Sequence, residues 1–200
     1  PLSDRSMSGP FFTVGHSNRS LQEFIDLILE AGITFVADIR KIPMSRANPQ
    51  FNHDLLAEAL PQNGIEYEHI ARLGGLRGKD WQVPFAVNAL WKNRSFHNYA
   101  DYALSPEFDE GLRTVLHKGD DHRCTVMCSE AVWWRCHRRI VADYLIARGK
   151  PVFHIMAMGR LDPAVLTPGA EIRPDASIVY PAEYTLSLHD ALPIYRKSVV

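Results

Sequence analysis

Two cysteines, a glutamate, a histidine and two arginines lie within the eleven residues from Cys128 to Arg138. Cys128 ends an apolar run, and Cys136-His-Arg138 opens a segment with helical apolar spacing. A helix N-terminus carries positive potential, which lowers the pKa of a thiol and attracts anions. We therefore predict that Cys128, Glu130, Cys136 and His137 are catalytic: the thiols provide a nucleophile, and Glu130 and His137 exchange protons.

Each of these residues also has a structural interpretation. A cysteine is often a small buried apolar side chain, and we interpret Cys124 in this way. For Cys128 a structural and a catalytic role are both possible. Trp133 and Trp134 either pack against the start of the helix or form a stacking surface. Glu130 either works as an acid or base or pairs with an arginine.

The spacing of the cysteines does not favour a metal centre. Cys128 and Cys136 are separated by seven residues, unlike the common zinc and iron–sulfur motifs. The histidines available as additional ligands are His16, His69, His137 and His154. We expect no metal site, and the sequence identifies no cofactor.

Apolar runs alternate with helical patterns along the chain, which predicts parallel βαβ units. The expected fold is α/β: a single domain of three layers, in which helices flank a mostly parallel open sheet. Strands are predicted at residues 11–14, 34–37, 65–70, 124–127 and 151–155, and helices after Ser20 and at residues 54–60, 99–103, 106–116 and 140–145.

Polar residues follow the predicted strands, where ligands bind in open α/β sheets. Arginine offers a bidentate fork to phosphate or carboxylate, and a glycine pair lets backbone N–H groups approach an anion. Arg40 could instead form a structural ion pair, and the glycine pair could only make a turn. The predicted anion-binding residues are His16, Ser17, Asp38, Arg40, Arg46, Gly74, Gly75, Arg77 and Arg138.

Composition and missing motifs narrow the class of protein. A formal net charge of −1 gives no overall attraction to nucleic acid or acidic membranes. No apolar run reaches the roughly 18–20 residues that span a bilayer. Three cysteines within thirteen residues form no secreted disulfide framework, which predicts a cytoplasmic protein. The chain has no Walker loop, G-x-G-x-x-G or G-x-S-x-G motif.

The two ends of the chain are expected to lie outside the folded domain, which we place at residues 11–183. Residues 1–10 are polar and are predicted to be a flexible N-terminal segment. Residues 184–200 match the translation of a short-read sequencing adapter, so we interpret them as an artefact and exclude them from the fold.

Five short motifs in order resemble a bacterial family, domain of unknown function 488 (DUF488). They are Val14-Gly-His-Ser17, Asp38-Ile-Arg40, Ser45-Arg-Ala-Asn-Pro-Gln-Phe51, Leu73-Gly-Gly75, and Met127-Cys-Ser-Glu130 with Cys136-His-Arg138. The resemblance covers about residues 13–180. It implies an α/β fold and a shared polar rim, adds Ser45 to the expected anion-binding residues, and brings no established activity.

The chain departs from the family pattern in three places. Isoleucine stands at position 39 where the family usually has valine, and Ala131-Val-Trp-Trp134 replaces its usual proline. Residues 160–165 lack an expected His-Arg pair, which puts an anion contact from that segment in doubt.

Three functions fit this pattern. The leading hypothesis is an enzyme acting on a small anionic, phosphate-bearing or nucleotide-like substrate. One alternative is a nucleic-acid-binding or DNA-repair-associated module, in which arginines contact the backbone and bases stack on Trp81, Trp91, Trp133 and Trp134. The other is a non-catalytic sensor that binds a small anion on the same rim.

Overall fold

Five parallel strands and one antiparallel strand form the main sheet in the computed structural model, which describes residues 9–182. The strands are β1 (Phe11–Gly15), β2 (Phe35–Asp38), β3 (Glu66–His69), β4 (Cys124–Cys128), β5 (Val152–Ala157) and β6 (Arg160–Pro163). Their spatial order is β3-β2-β4-β1-β5-β6, and β6 is the antiparallel strand. A separate hairpin pairs β7 (Glu171–Ile172) with β8 (Ile178–Val179).

Helices cover both faces of this sheet. They are α1 (Leu21–Glu30), α2 (His53–Gln62), α3 (Arg94–Tyr102), α4 (Pro106–Asp121) and α5 (Arg138–Ala147). One apolar core joins α1 and α2 to Phe12 and Val36, and the other joins α3, α4 and α5 to Phe11 and Phe35. This arrangement confirms the α/β fold with a mostly parallel sheet between two helical layers. Within residues 9–182, no helix is long and apolar enough to cross a bilayer.

Local interactions explain where the helices begin and end. Ser20 and Glu23 form the capping box predicted before α1. The third helix begins five residues earlier than predicted, because the side chain of Asn93 accepts backbone N–H groups at its start. The fourth helix continues past residue 116 to Asp121, and its Gly119 leaves room for the ring of Phe11.

The neighbouring strands β1 and β4 lead to opposite faces of the sheet. The helix after β1 lies on the face of Phe12, whereas the helix after β4 lies on the face of Phe11. Their connections therefore diverge and leave a crevice at the carboxyl ends of the two strands, where ligands bind in open α/β sheets. Beyond the strands, the N–H of His16 donates to the carbonyl of Cys128 over 2.9 Å.

The predictions for the chain ends fall largely outside the described residues. Residues 1–8 and 183–200 are not among them. The flexible N-terminal segment, the adapter interpretation of residues 184–200 and the domain bounds of 11–183 therefore stay predictions.

Candidate functional site

A cleft of about 600 Å³ opens at the carboxyl edge of the sheet, over the ends of β1, β2 and β4. Eight of the predicted site residues line it: His16, Ser17, Arg40, Ser45, Gly75, Cys128, Glu130 and His137. The fold thus brings together residues that are as much as 121 positions apart in the sequence.

Two thiols and an imidazole lie together at this cleft: Cys128 and His137 line it, and Cys136 lines an adjoining pocket. Nδ1 of His137 lies 3.9 Å from Sγ of Cys128 and 3.7 Å from Sγ of Cys136. On the other side of the ring, Nε2 lies 3.0 Å from the carbonyl oxygen of Ile39. Because a carbonyl can only accept, Nε2 of His137 carries a proton, and Nδ1 faces the two sulfurs.

The two thiols differ in acidity because their surroundings differ. The pKa of Cys128 is held well below its ordinary value, mainly by a hydrogen bond from the Cys136 thiol. The His137 ring and the backbone N–H of Glu130 also lower this pKa, whereas burial opposes them. Burial, together with the neighbouring Cys128, raises the pKa of Cys136. Cys128 is therefore the more acidic thiol of the pair, and Cys136 is the one that keeps its proton more strongly.

Cys124 has surroundings of a different kind. It lies at the start of β4, fully buried in the core. Burial raises the pKa of its thiol above the ordinary value. An apolar setting keeps this cysteine protonated and inert, in agreement with its structural interpretation.

Two glycines allow backbone segments to approach the cluster closely. A Cβ atom on Gly15 would overlap the carbonyl oxygen of Glu130, and one on Gly75 would lie 2.9 Å from Nδ1 of His137. The loop after β4 can therefore cross the end of β1 only over a glycine. Gly74 has no part in the cleft: a Cβ there would lie 2.9 Å from the Cα of Lys41, so this glycine serves packing.

Arg40 forms a buried ion pair with Asp38. Nε of Arg40 donates to Oδ1 of Asp38 over 2.9 Å, and Nη2 donates to the carbonyl of Phe51 over 2.8 Å. The hydroxyl of Tyr67 donates to Oδ2 of the same aspartate over 2.8 Å. Nη1 lies 3.4 Å from Nε2 of His16, which lines the cleft with Arg40. The structural interpretation of Arg40 thus accounts for most of its guanidinium group.

His16 is held as a neutral ring. Its Nδ1 lies 2.7 Å from the carbonyl of Ser17, and its ring stacks on Phe51 with centroids 4.1 Å apart. Burial, its largest influence, lowers the pKa of His16. The lone pair on Nε2 therefore accepts from Arg40 instead of carrying a second positive charge.

The other predicted arginines lie away from the cleft. Arg138 is buried and donates to the carbonyls of Glu130 and Ala131, so it holds the loop after β4 in place. Arg77 donates to the carbonyl of Gly74 over 2.7 Å and covers the ring of Tyr102. Arg46 is exposed and is not part of the cleft wall.

Further residues of the cleft went unnoticed in the sequence. Lys41, Asn48 and Ser129 line its wall together with Asn18, Ile42, Met44, Leu76 and Ala131. Lys41 directly follows Arg40 at a strand exit, and Asn48 and Ser129 fall inside two of the family-like motifs. A position at a strand exit or inside a family-like motif was the sequence feature that could have identified these residues as part of the site.

The four tryptophans do not form one stacking surface. Trp91 is buried, and Trp133 stacks on His154 with ring centroids 4.3 Å apart. Trp81 is 82% exposed, with Nζ of Lys79 lying 3.7 Å from its ring centroid. Trp134 meets Trp133 at an interplanar angle of 90°, so these neighbouring rings do not present parallel faces to successive bases.

The cluster at the cleft also has the composition of a metal site. Sγ of Cys128, Sγ of Cys136 and a ring nitrogen of His137 all lie within 4.8 Å of one another. Seven intervening residues hid this arrangement in the sequence, since the loop folds back and brings Cys136 beside Cys128.

Comparison with known proteins places the chain in a family of uncharacterised function. Residues 20–145 match the model of the family described as domain of unknown function DUF488. Neither the curated proteins nor the solved structures include a match. The matched span covers α1 to most of α5 and contains Arg40, Cys128 and His137. The family of the chain follows from this match: the protein belongs to the DUF488 family.

Proposed function

We propose that this protein is a cysteine-dependent enzyme that acts on a small anionic, phosphate-bearing or nucleotide-like substrate in the cleft. The observation that carries the proposal is the placement of Sγ of Cys128 at the cleft floor, 3.9 Å from Nδ1 of His137. A thiol beside an imidazole whose other nitrogen is fixed by a third group has the arrangement of an activated nucleophile.

The neighbouring groups support a role for Cys128 as the attacking atom. Its thiolate forms a bond to the electrophilic centre of the substrate, and the bond to the leaving group breaks. His137, protonated by the thiol, returns that proton to the leaving group. Glu130 lines the cleft and can then take a proton from the water that releases the covalent intermediate.

The charges of the cleft wall support an anionic substrate, with a smaller set of contacts than the sequence predicts. Lys41 and Arg40 both line the cleft. The guanidinium groups of Arg77 and Arg138 are directed to backbone carbonyls elsewhere. We therefore assign the anion contact to Lys41 and Arg40, with the hydroxyls of Ser17 and Ser45 available as donors.

A thermal-shift screen tests this function. Inorganic phosphate, nucleotides and short oligonucleotides are added to the wild type, to Lys41→Ala and to the control Arg46→Ala. A ligand at 100 times its Kd should raise the Tm by about 5–10 °C. We expect shifts with phosphate or nucleotides that Lys41→Ala reduces and Arg46→Ala retains.

The contrary outcomes separate the alternatives. No shift with any anion, or equal shifts in all three proteins, would contradict the assigned anion contact. Shifts given only by oligonucleotides and lost steeply with salt would identify a nucleic-acid-binding module. Anion shifts in a protein whose Cys128 resists alkylation would identify a sensor.

A further inference from the structure

The Cys128–Cys136–His137 cluster consists of soft ligand atoms aimed at one point. Two sulfurs and one imidazole nitrogen are the donors that zinc prefers, whereas calcium and magnesium take oxygen. Both cysteines are at least nine-tenths buried, at 6% and 4% exposure, so this set differs from an exposed acidic group on the surface.

The distances within the cluster fit a tetrahedral zinc ion. With Zn–S near 2.3 Å and Zn–N near 2.0–2.1 Å, tetrahedral angles separate sulfur from nitrogen by about 3.6 Å and sulfur from sulfur by about 3.8 Å. The observed sulfur–nitrogen distances to His137 are 3.9 Å from Cys128 and 3.7 Å from Cys136. The two sulfurs lie within 4.8 Å of each other, so a bound ion would draw them together by at most about 1 Å.

The imidazole is already oriented for a metal. Nε2 of His137 faces the carbonyl of Ile39 at 3.0 Å, which is the outer hydrogen bond that metal-binding histidines characteristically make. Gly75 lies against the same ring, and Tyr99 packs on it edge to face at 4.8 Å between centroids. The ring is therefore held with Nδ1 toward the sulfurs.

We propose that Cys128, Cys136 and His137 bind a Zn²⁺ ion, with a fourth position open to the cleft for water or a ligand. Two thiolates and a neutral imidazole balance the charge of the ion, and the thiol protons leave to solvent. A bound ion also occupies the lone pairs of Cys128 and so masks the nucleophile. This masking rests on the proposed function; the binding of the ion does not.

Zinc titration of the full-length protein, reduced and freed of metal, tests the binding. We expect one Zn²⁺ per chain, and Cys136→Ser and His137→Ala should each weaken the affinity at least tenfold. Cys124→Ser is the matched control, because Cys124 lies in the core away from the cluster, and it should bind as the wild type does. Circular dichroism establishes that each variant is folded.

Absence of binding to the wild type, or wild-type affinity in folded Cys136→Ser and His137→Ala, would overturn the site. Alkylation of Cys128 with and without Zn²⁺ distinguishes this failure from a failure of the proposed function. If Zn²⁺ does not slow the alkylation of Cys128, the masking is wrong, and the proposed cysteine-dependent function still stands. A metal-free protein that resists alkylation but binds one Zn²⁺ overturns the thiol enzyme while leaving the metal site.

Discussion

Nε2 of His137 donates a hydrogen bond of 3.0 Å to the carbonyl oxygen of Ile39. This bond connects the residue that precedes α5 to the residue that follows β2. It fixes the orientation of the ring, so that Nδ1 faces Cys128 and Cys136. The reactivity of the thiols thus depends on a contact between segments that are 98 residues apart in the chain.

Replacing His137 by alanine should slow the alkylation of Cys128. The ring is one of the groups that lower the pKa of this thiol. Without the ring the pKa of Cys128 rises and less of the thiol is ionised at pH 7, so we expect a several-fold lower rate at that pH and an upward shift in the midpoint of the pH–rate profile. The control is His117→Ala, at an exposed histidine. An unchanged rate in folded His137→Ala would show that the His137 ring does not activate the Cys128 thiol.

Gly15→Ala should destabilise the protein by about 2–4 kcal/mol, since the new methyl group overlaps the carbonyl of Glu130 and forces the backbone apart. Urea unfolding measures the change in free energy. Gly78→Ala is the matched control, because a Cβ there meets nothing within 4 Å. Equal stability of the two variants would show that the loop after β4 can move away from β1 at little cost.

Arg138→Met should cost about 1–3 kcal/mol of unfolding free energy, because the part-buried carbonyls of Glu130 and Ala131 lose the donors that hold the loop after β4. The same substitution at the exposed Arg46 should change stability by less than about 0.5 kcal/mol. If Arg138 instead contacts only ligand, Arg138→Met will unfold at the wild-type urea concentration.

Stability should fall between pH 7 and 4.5, partly through His154. Burial, with a smaller effect of Arg138, lowers the pKa of His154 to about 4. In the unfolded chain a histidine has a pKa near 6.5, so the unfolded chain binds the proton more readily than the folded protein does. The contribution of His154 to stability is therefore complete above pH 6.5 and is lost as the pH falls toward 4. We expect this residue to lower the free energy of unfolding by about 2–3 kcal/mol over this range. In His154→Asn that part of the fall should be absent. His117→Asn, at an exposed site, should retain the wild-type slope.

Periodicity and capping residues were sufficient to predict the main strands and helices. The capping box of Ser20 and Glu23 and the apolar runs of β1 and β4 are local signals, and the structure confirms them. The edge elements were missed: β6 carries Arg160 and Asp162, and the hairpin of β7 and β8 has two-residue strands. Such short or polar strands form through pairing with the rest of the sheet, which no local pattern records.

Site residues were harder to predict, because residue type does not show where a side chain points. The strand exits indicated the cleft correctly, since carboxyl ends of parallel strands share one edge. Arginine suggests anion binding equally at positions 40, 77 and 138, yet the guanidinium of Arg138 is directed to two carbonyls and that of Arg77 to Gly74. The seven-residue gap between the cysteines likewise hid their contact, which depends on the fold of the intervening loop.

The pH dependence of iodoacetamide alkylation, followed at each cysteine by mass spectrometry, tests the central claim that Cys128 is a thiolate nucleophile. The groups that face its sulfur are Cys136, His137, the N–H of Glu130 and the hydroxyl of Ser129. We expect a rate midpoint for Cys128 below the value of about 8.5 for a free cysteine, with Cys124 unmodified in the folded metal-free protein. A midpoint at or above that value, or equal modification of Cys124 and Cys128, would contradict it.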